Sequence, residues 1–127
     1  SVDVRRDPGS GDYVLYSDCG RKRERVQLDE HVESAVGAGA GEILITAIDR
    51  EGTMQGYDEE LLRRVVAVSR VPVIAAGGAG NYEHLSSAFD STGVSAVACG
   101  SLFNFGDNNP MRAKAFLTNR GHSFKVV

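Results

Sequence analysis

Residues able to do chemistry gather at four places in this 127-residue chain: Asp3, Asp49-Arg50-Glu51-Gly52, Gly77-Gly78-Ala79-Gly80 and Gly100-Ser101. Asp3 lies in a short apolar run. The other three follow the runs Ile43–Ile48, Val71–Ala76 and Val94–Cys99. Glycine lets a ligand approach the main chain, and a helix starting just beyond offers unpaired N–H groups with partial positive charge. Together they hold an anion without Lys or Arg. Either glycine loop alone fits a tight turn equally well, but two at consecutive strand ends point to one shared phosphate. A carboxylate such as Asp3 suits general acid or base work if it faces the same mouth. Read from the residues alone, an ion pair with Arg5 or Arg6 fits it better. Glu42 stands at the opposite end of its run, where a charged residue reads as a stability element.

Other reactive side chains carry less. His31, His84 and His122 are scattered on or near helices without metal-ligand spacing, so surface or helix-packing roles are expected and no metal. Ser17 and Ser101 have no His near them in sequence. Cys19 and Cys99 form no CxxC pair. Neither a disulfide framework nor a cofactor is expected, and a reducing cytoplasm is the default location.

The elements that must position these groups follow from periodicity. Residues 2 to 17 read as a strand and a hairpin, with Asp7-Pro8-Gly9-Ser10-Gly11 as the turn. Asp29 is expected to cap a helix to about Ala38, with Val32, Ala35 and Val36 inward. The run from Ile43 to Ile48 suits a parallel strand. Asp58 caps a helix carrying Leu61, Leu62, Val65 and Val66, and Val71–Ala76 forms the next strand. Asn81 caps a helix to about Phe89, Val94–Cys99 forms a last strand, and Asn109-Pro110 opens a last helix. Alternation of this kind means a parallel sheet with right-handed crossovers. A flavodoxin-like sheet and a portion of a barrel both satisfy it.

Composition sets outer bounds. The chain is 42% hydrophobic and 24% charged, with a formal net charge of -3, which describes one globular domain spanning 1–127. Mild acidity argues against a nucleic-acid partner. The basic cluster Arg21, Lys22, Arg23 and Arg25 is interrupted by Glu24 and reads as a solvated loop. No apolar run approaches the roughly 20 residues of a membrane span, so no membrane partner is expected.

Longer motifs carry a resemblance. The segment Gly39-Ala40-Gly41-Glu42-Ile43-Leu44-Ile45-Thr46-Ala47-Ile48-Asp49-Arg50-Glu51-Gly52-Thr53, followed by Gly56-Tyr57-Asp58, resembles GAGEILLTSIDRDGT of the cyclase subunit family of imidazole glycerol phosphate synthase. Val71–Gly80 is similar to that family's IPVIASGGAG, and Ser101-Leu102-Phe103-Asn104-Phe105 to SVFHF. The resemblance implies the C-terminal half of a (β/α)8 barrel, in α/β class, with a hairpin after its first strand. It implies a lyase-type cyclisation in histidine biosynthesis. Ammonia from a glutaminase partner attacks a phosphorylated ribulosyl formimino-aminoimidazole carboxamide nucleotide, giving imidazole glycerol phosphate and an aminoimidazole carboxamide ribotide.

Site residues follow by position. Asp3 matches one of two catalytic aspartates, which reverses the ion-pair reading. Glu51, Gly52, Gly77, Gly78, Gly100 and Ser101 match a substrate-phosphate site, Thr46 points into the same mouth, and Glu42 matches a charged gate for ammonia. Glu51 stands where the family carries Asp, Ala47 and Ala76 where it carries Ser, and Asn104 where it carries His. The stretch Gly106–Lys114 is closer to a paralogous branch that supplies ammonia for amidating sugars of surface polysaccharides. An ammonia-channelling role there, or a non-catalytic phosphate-binding module, stands as the alternative.

A whole barrel of this type needs about 250 residues. Four strands cannot close, so two sheet edges and an apolar inner face should be exposed. Self-association, or pairing with a complementary half-barrel, is therefore expected, with one aspartate too few for catalysis by the chain alone.

Overall fold

A computed structural model describes residues 1–124. Its elements, in chain order, are strands β1 (Val2–Arg6), β2 (Tyr13–Ser17) and β3 (Lys22–Arg23), helix α1 (Leu28–Gly37), strand β4 (Ile43–Ala47), helix α2 (Glu59–Val68), strand β5 (Val73–Ala76), helix α3 (Tyr82–Thr92), strand β6 (Ala96–Val97), and helices α4 (Ser101–Asn104) and α5 (Pro110–Asn119). They build one six-stranded sheet in the order β3-β2-β1-β4-β5-β6. β1, β4, β5 and β6 pair in parallel, while β2 and β3 are antiparallel additions beside β1.

Strand order decides between the two architectures left open above. The parallel strands lie side by side in sequence order with no reversal. Right-handed crossovers in one direction put every helix on the same face, whereas a doubly wound sheet must reverse. Burial agrees. Val2 and Val4, Ile43, Ile45 and Ala47, and Val73 and Ala75 are buried. They share a core with Leu28, Val32, Leu61, Leu62, Val65, Leu85, Ala88, Ala113 and Leu117 of the helices. The alternate residues Asp3, Leu44, Thr46, Ile74 and Ala76 are only half-buried, on the face without helices. The fold is mixed α/β, half of a (β/α)8 barrel, with its inner face open.

Two sequence expectations need correction. Asp29 is not the cap of α1. The helix starts at Leu28, behind Gln27, which makes no side-chain cap bond. Leu28 is fully buried, which draws the chain into the helix one residue early, and the Asp29 carboxylate instead holds Arg64 of α2 in two bonds of 2.8 and 3.2 Å. Second, part of the basic cluster is an edge strand, with Lys22 and Arg23 exposed. The expected hairpin is present, with β2 pairing β1 from Asp3 to Arg6, and the sheet ends are β3 and β6.

Elsewhere the differences are of extent. α3 runs to Thr92 because Gly93 (φ 79°) supplies a left-handed stop. β6 pairs over two residues, although Ser95 N–H to Val73 O and Ala98 N–H to Ala75 O prolong the contact at both ends. Asp58, Asn81 and Asn109 cap α2, α3 and α5 as their types require. Among the described residues no helix is long and apolar enough to cross a membrane. No group of three or more His, Cys, Asp or Glu among them could hold a metal ion.

Candidate functional site

Three loops meet at the C-terminal ends of β4, β5 and β6. Gly77 and Gly78 adopt φ of 95° and 101°, which other residues rarely tolerate. A Cβ on Gly77 would lie 2.5 Å from Ala47 O, and one on Gly78 only 2.2 Å from Gly56 O. Glycine is therefore required twice, so that the β5–α3 loop can lie against the β4–α2 loop. Gly56 N–H donates to Gly78 O at 2.7 Å across that contact.

Arg50 and Asp58 brace the β4–α2 loop. Arg50 Nη1 donates to the carbonyls of Gly56 (3.4 Å) and Tyr57 (3.3 Å), and its Nε lies 3.8 Å from Asp58 Oδ2. Asp58 Oδ1 accepts from Tyr13 O–H at 2.9 Å and from Leu61 N–H at 3.1 Å, so one buried carboxylate caps α2 and ties it to β2. Burial, then this bond to Asp58, pushes the Tyr13 phenol above its usual range. The third loop joins through Tyr57, whose O–H donates to Ala98 O at 2.9 Å. Burial likewise pushes the Tyr57 phenol up, and it raises the neighbouring Cys99 thiol.

The hollow between these loops is lined by Glu51, Gly52, Gly77, Gly78, Ala79, Ala98, Cys99, Gly100 and Ser101. Six positions expected from the sequence thus come together. Gly78 and Ala79 are buried, yet their amides donate to no acceptor among the described residues. Two main-chain N–H groups without a protein acceptor, in residues lining one hollow beside glycines, suit an anion. Glu51 is exposed on the rim, leaving the main chain as the source of attraction.

Asp3 and Thr46 are not in the hollow. They sit on the inner face in one row with Ala76, since Asp3 is in register with Thr46 and Thr46 with Ala76. That row is one residue below Gly77. Asp3 makes no ion pair among the described residues: Arg6 holds Glu60 at 3.0 Å, and Arg5 lies over the Tyr16 ring. Asp3 lines a separate depression with Tyr16, Ser17, Glu24 and His31. Glu42 is exposed at the opposite, N-terminal end of β4.

The profile of the family described as "Histidine biosynthesis protein" matches residues 1–109. The chain belongs to the histidine biosynthesis protein family. Among curated members, the imidazole glycerol phosphate synthase subunit HisF of Chlorobaculum parvum is 36% identical over 126 residues, 99% of this chain and 49% of that protein. The subunit of the same name from Chlorobaculum tepidum is 37% identical over the same extent. That from Pelodictyon phaeoclathratiforme is 34% identical, again over 99% of this chain and 49% of the relative. The chain spans about half the length of the curated relatives it matches.

Within this histidine-biosynthesis frame, Ala79, Ala98 and Cys99 also line the hollow. Ala79 stands within the glycine motif, but Ala98 and Cys99 are not legible as lining because their side chains carry no charge. The signal for them is their place just before Gly100 at a strand end. His84 and Arg50 brace the site from outside, and only the folded loops reveal that.

Proposed function

We propose that this chain is the C-terminal half of an ammonia-dependent cyclase barrel, in which the hollow holds a substrate phosphate and Asp3 is one of two acid–base groups. The observation that carries the reading is the meeting of three loops around the unpaired amides of Gly78 and Ala79, one residue above the row of Asp3 and Thr46. A phosphate anchored there leaves the rest of the substrate lying over the inner face. Asp3 is then placed to take or return a proton, and the Thr46 hydroxyl to steady a polar atom beside it. Binding energy from the remote phosphate holds the reacting atoms against Asp3.

Glu42 lies four residues below Thr46, about 13 Å along the strand at ~3.3 Å per residue. It suits an entry for ammonia from a glutaminase docked at that end, remote from the phosphate. The partners of this reading are a phosphorylated small molecule, a glutaminase subunit, and a complementary half-barrel or second copy to close the sheet.

The test uses the 127-residue chain with ammonium salts and the phosphorylated nucleotide substrate named above. Alone it should give no turnover. Mixed with a separately expressed N-terminal half of a relative, it should cyclise. Asp3→Asn should remove that activity by about a hundredfold or more while phosphate still binds. Full activity of Asp3→Asn in the mixture would overturn the assignment.

A further inference from the structure

His84 occupies the first turn of α3, directly behind the glycine loop. Its Nδ1 accepts the Gly80 N–H at 3.1 Å. Its ring packs on Gly56, lying 3.4 Å from where a Cβ on that residue would stand. Only glycine fits there, since a Cβ on Gly80 would come within 2.2 Å of Met54 O. Gly80 therefore lies close against the neighbouring loop with its N–H bound to an imidazole acceptor.

We propose that His84 is a positioning residue for the anion cradle. By accepting the Gly80 N–H it fixes the Ala79–Gly80 peptide plane, and through the short link to Gly78 the directions of the two unpaired amides. It also joins the β4–α2 and β5–α3 loops, because one ring touches both. The role requires a particular tautomer. Nδ1 must be bare, so the neutral ring carries its proton on Nε2. Asn81 competes for the ring: its Oδ1 is taken by the His84 N–H at 2.8 Å, so its Nδ2, also a donor, faces Nε2 at 3.4 Å. The neutral ring can accept from one of the two donors, and the shorter bond, 3.1 Å from Gly80, selects Nδ1.

The inference rests on the phosphate reading of the hollow, and inorganic phosphate is the probe. Phosphate is titrated by calorimetry into the full chain, its His84→Leu variant and its His84→Asn variant, each first shown to be folded. Asn places a carbonyl oxygen near the position of Nδ1, whereas Leu keeps bulk without an acceptor. His84→Leu should bind phosphate about five- to tenfold more weakly, the worth of one hydrogen bond. His84→Asn should stay within about twofold of the native chain. Equal binding by all three overturns the proposal. Equal loss in both variants also overturns it, since packing and not the acceptor would then matter. Nitrogen-15 spectra of the native chain test it without any variant: the ring should be the Nε2–H tautomer, and the Gly80 amide should be protected from exchange. The opposite tautomer overturns it even if His84→Leu fails to fold. If the native chain binds no phosphate while the tautomer and Gly80 protection are as described, the cradle reading fails and the clasp stands only as loop architecture.

Discussion

At the scale of single residues, Cys99 gives the most direct report on the hollow. It lines the space beside Ala98 and Gly100, and burial holds its thiol above the ordinary range. The thiolate is the reactive form, so Cys99 should alkylate slowly at neutral pH, well behind the exposed Cys19. Inorganic phosphate should slow Cys99 further, severalfold at saturation, and leave Cys19 unchanged; mass spectrometry after timed alkylation reads both. Equal rates at Cys99 with and without phosphate would empty the hollow of its proposed ligand. Single residues also show what a sequence can reveal. Asp58, Asn81 and Asn109 are legible as caps because each short polar side chain precedes an apolar helical pattern and keeps its bond from the amide ahead of it. Asp29 has the same local pattern, yet Arg64, 35 residues away, takes its carboxylate. His84 is opaque for a similar reason: its spacing says helix, and its partner Gly80 matters only once two loops have met.

Among elements, the β4–α2 loop is the one on which the site depends. Its brace is Asp58, buried between the α2 amides, Tyr13 of β2 and Arg50. Asp58→Ala removes the cap and strands the Tyr13 hydroxyl in the interior. The two losses together should cost about 2–4 kcal/mol, seen as a lower denaturant midpoint, and phosphate binding should weaken because Arg50 no longer has its anchor. Alkali acts on the same brace. Tyr13 and Tyr57 have folded values raised above the usual 10.0. A raised value contributes stability that is whole below pH 10 and is lost as pH climbs toward the folded values. Ionisation of these two phenols, followed by near-ultraviolet absorbance, should therefore coincide with loss of helix signal. Ionisation while the helix signal is intact would contradict the burial described. The loop's polar, glycine-bearing character is plain in the sequence; that Arg50 and Asp58 turn inward to each other is not, because nothing local distinguishes them from solvated charges.

For the molecule as a whole, the alternation of elements made the α/β class legible, and the strand order settled the barrel half. The hairpin across β1 was legible in its turn residues, whereas its register, Asp3 with Tyr16 to Arg6 with Tyr13, lies outside periodicity. What is left uncovered is the inner face, where Val14, Leu44 and Ile74 are half-buried beside Asp3 and Thr46. Apolar surface of this kind favours association. Sedimentation of the 127-residue chain should show a concentration-dependent dimer at micromolar levels, reduced by Leu44→Lys on the open face. A folded monomer across that range would remove the second copy from the list of partners.

The two outer strands differ in a way that governs how such assembly ends. Lys22 and Arg23, paired with Glu24 and Asp7, put charged groups along β3, so two β3 flanks resist pairing with each other, whereas Ala96 and Val97 of β6 carry none. Two copies therefore join best with β6 of each beside β3 of the other. That arrangement uses both flanks of both copies, and joining stops at a discrete complex where a sheet with a flank left over could propagate into a filament.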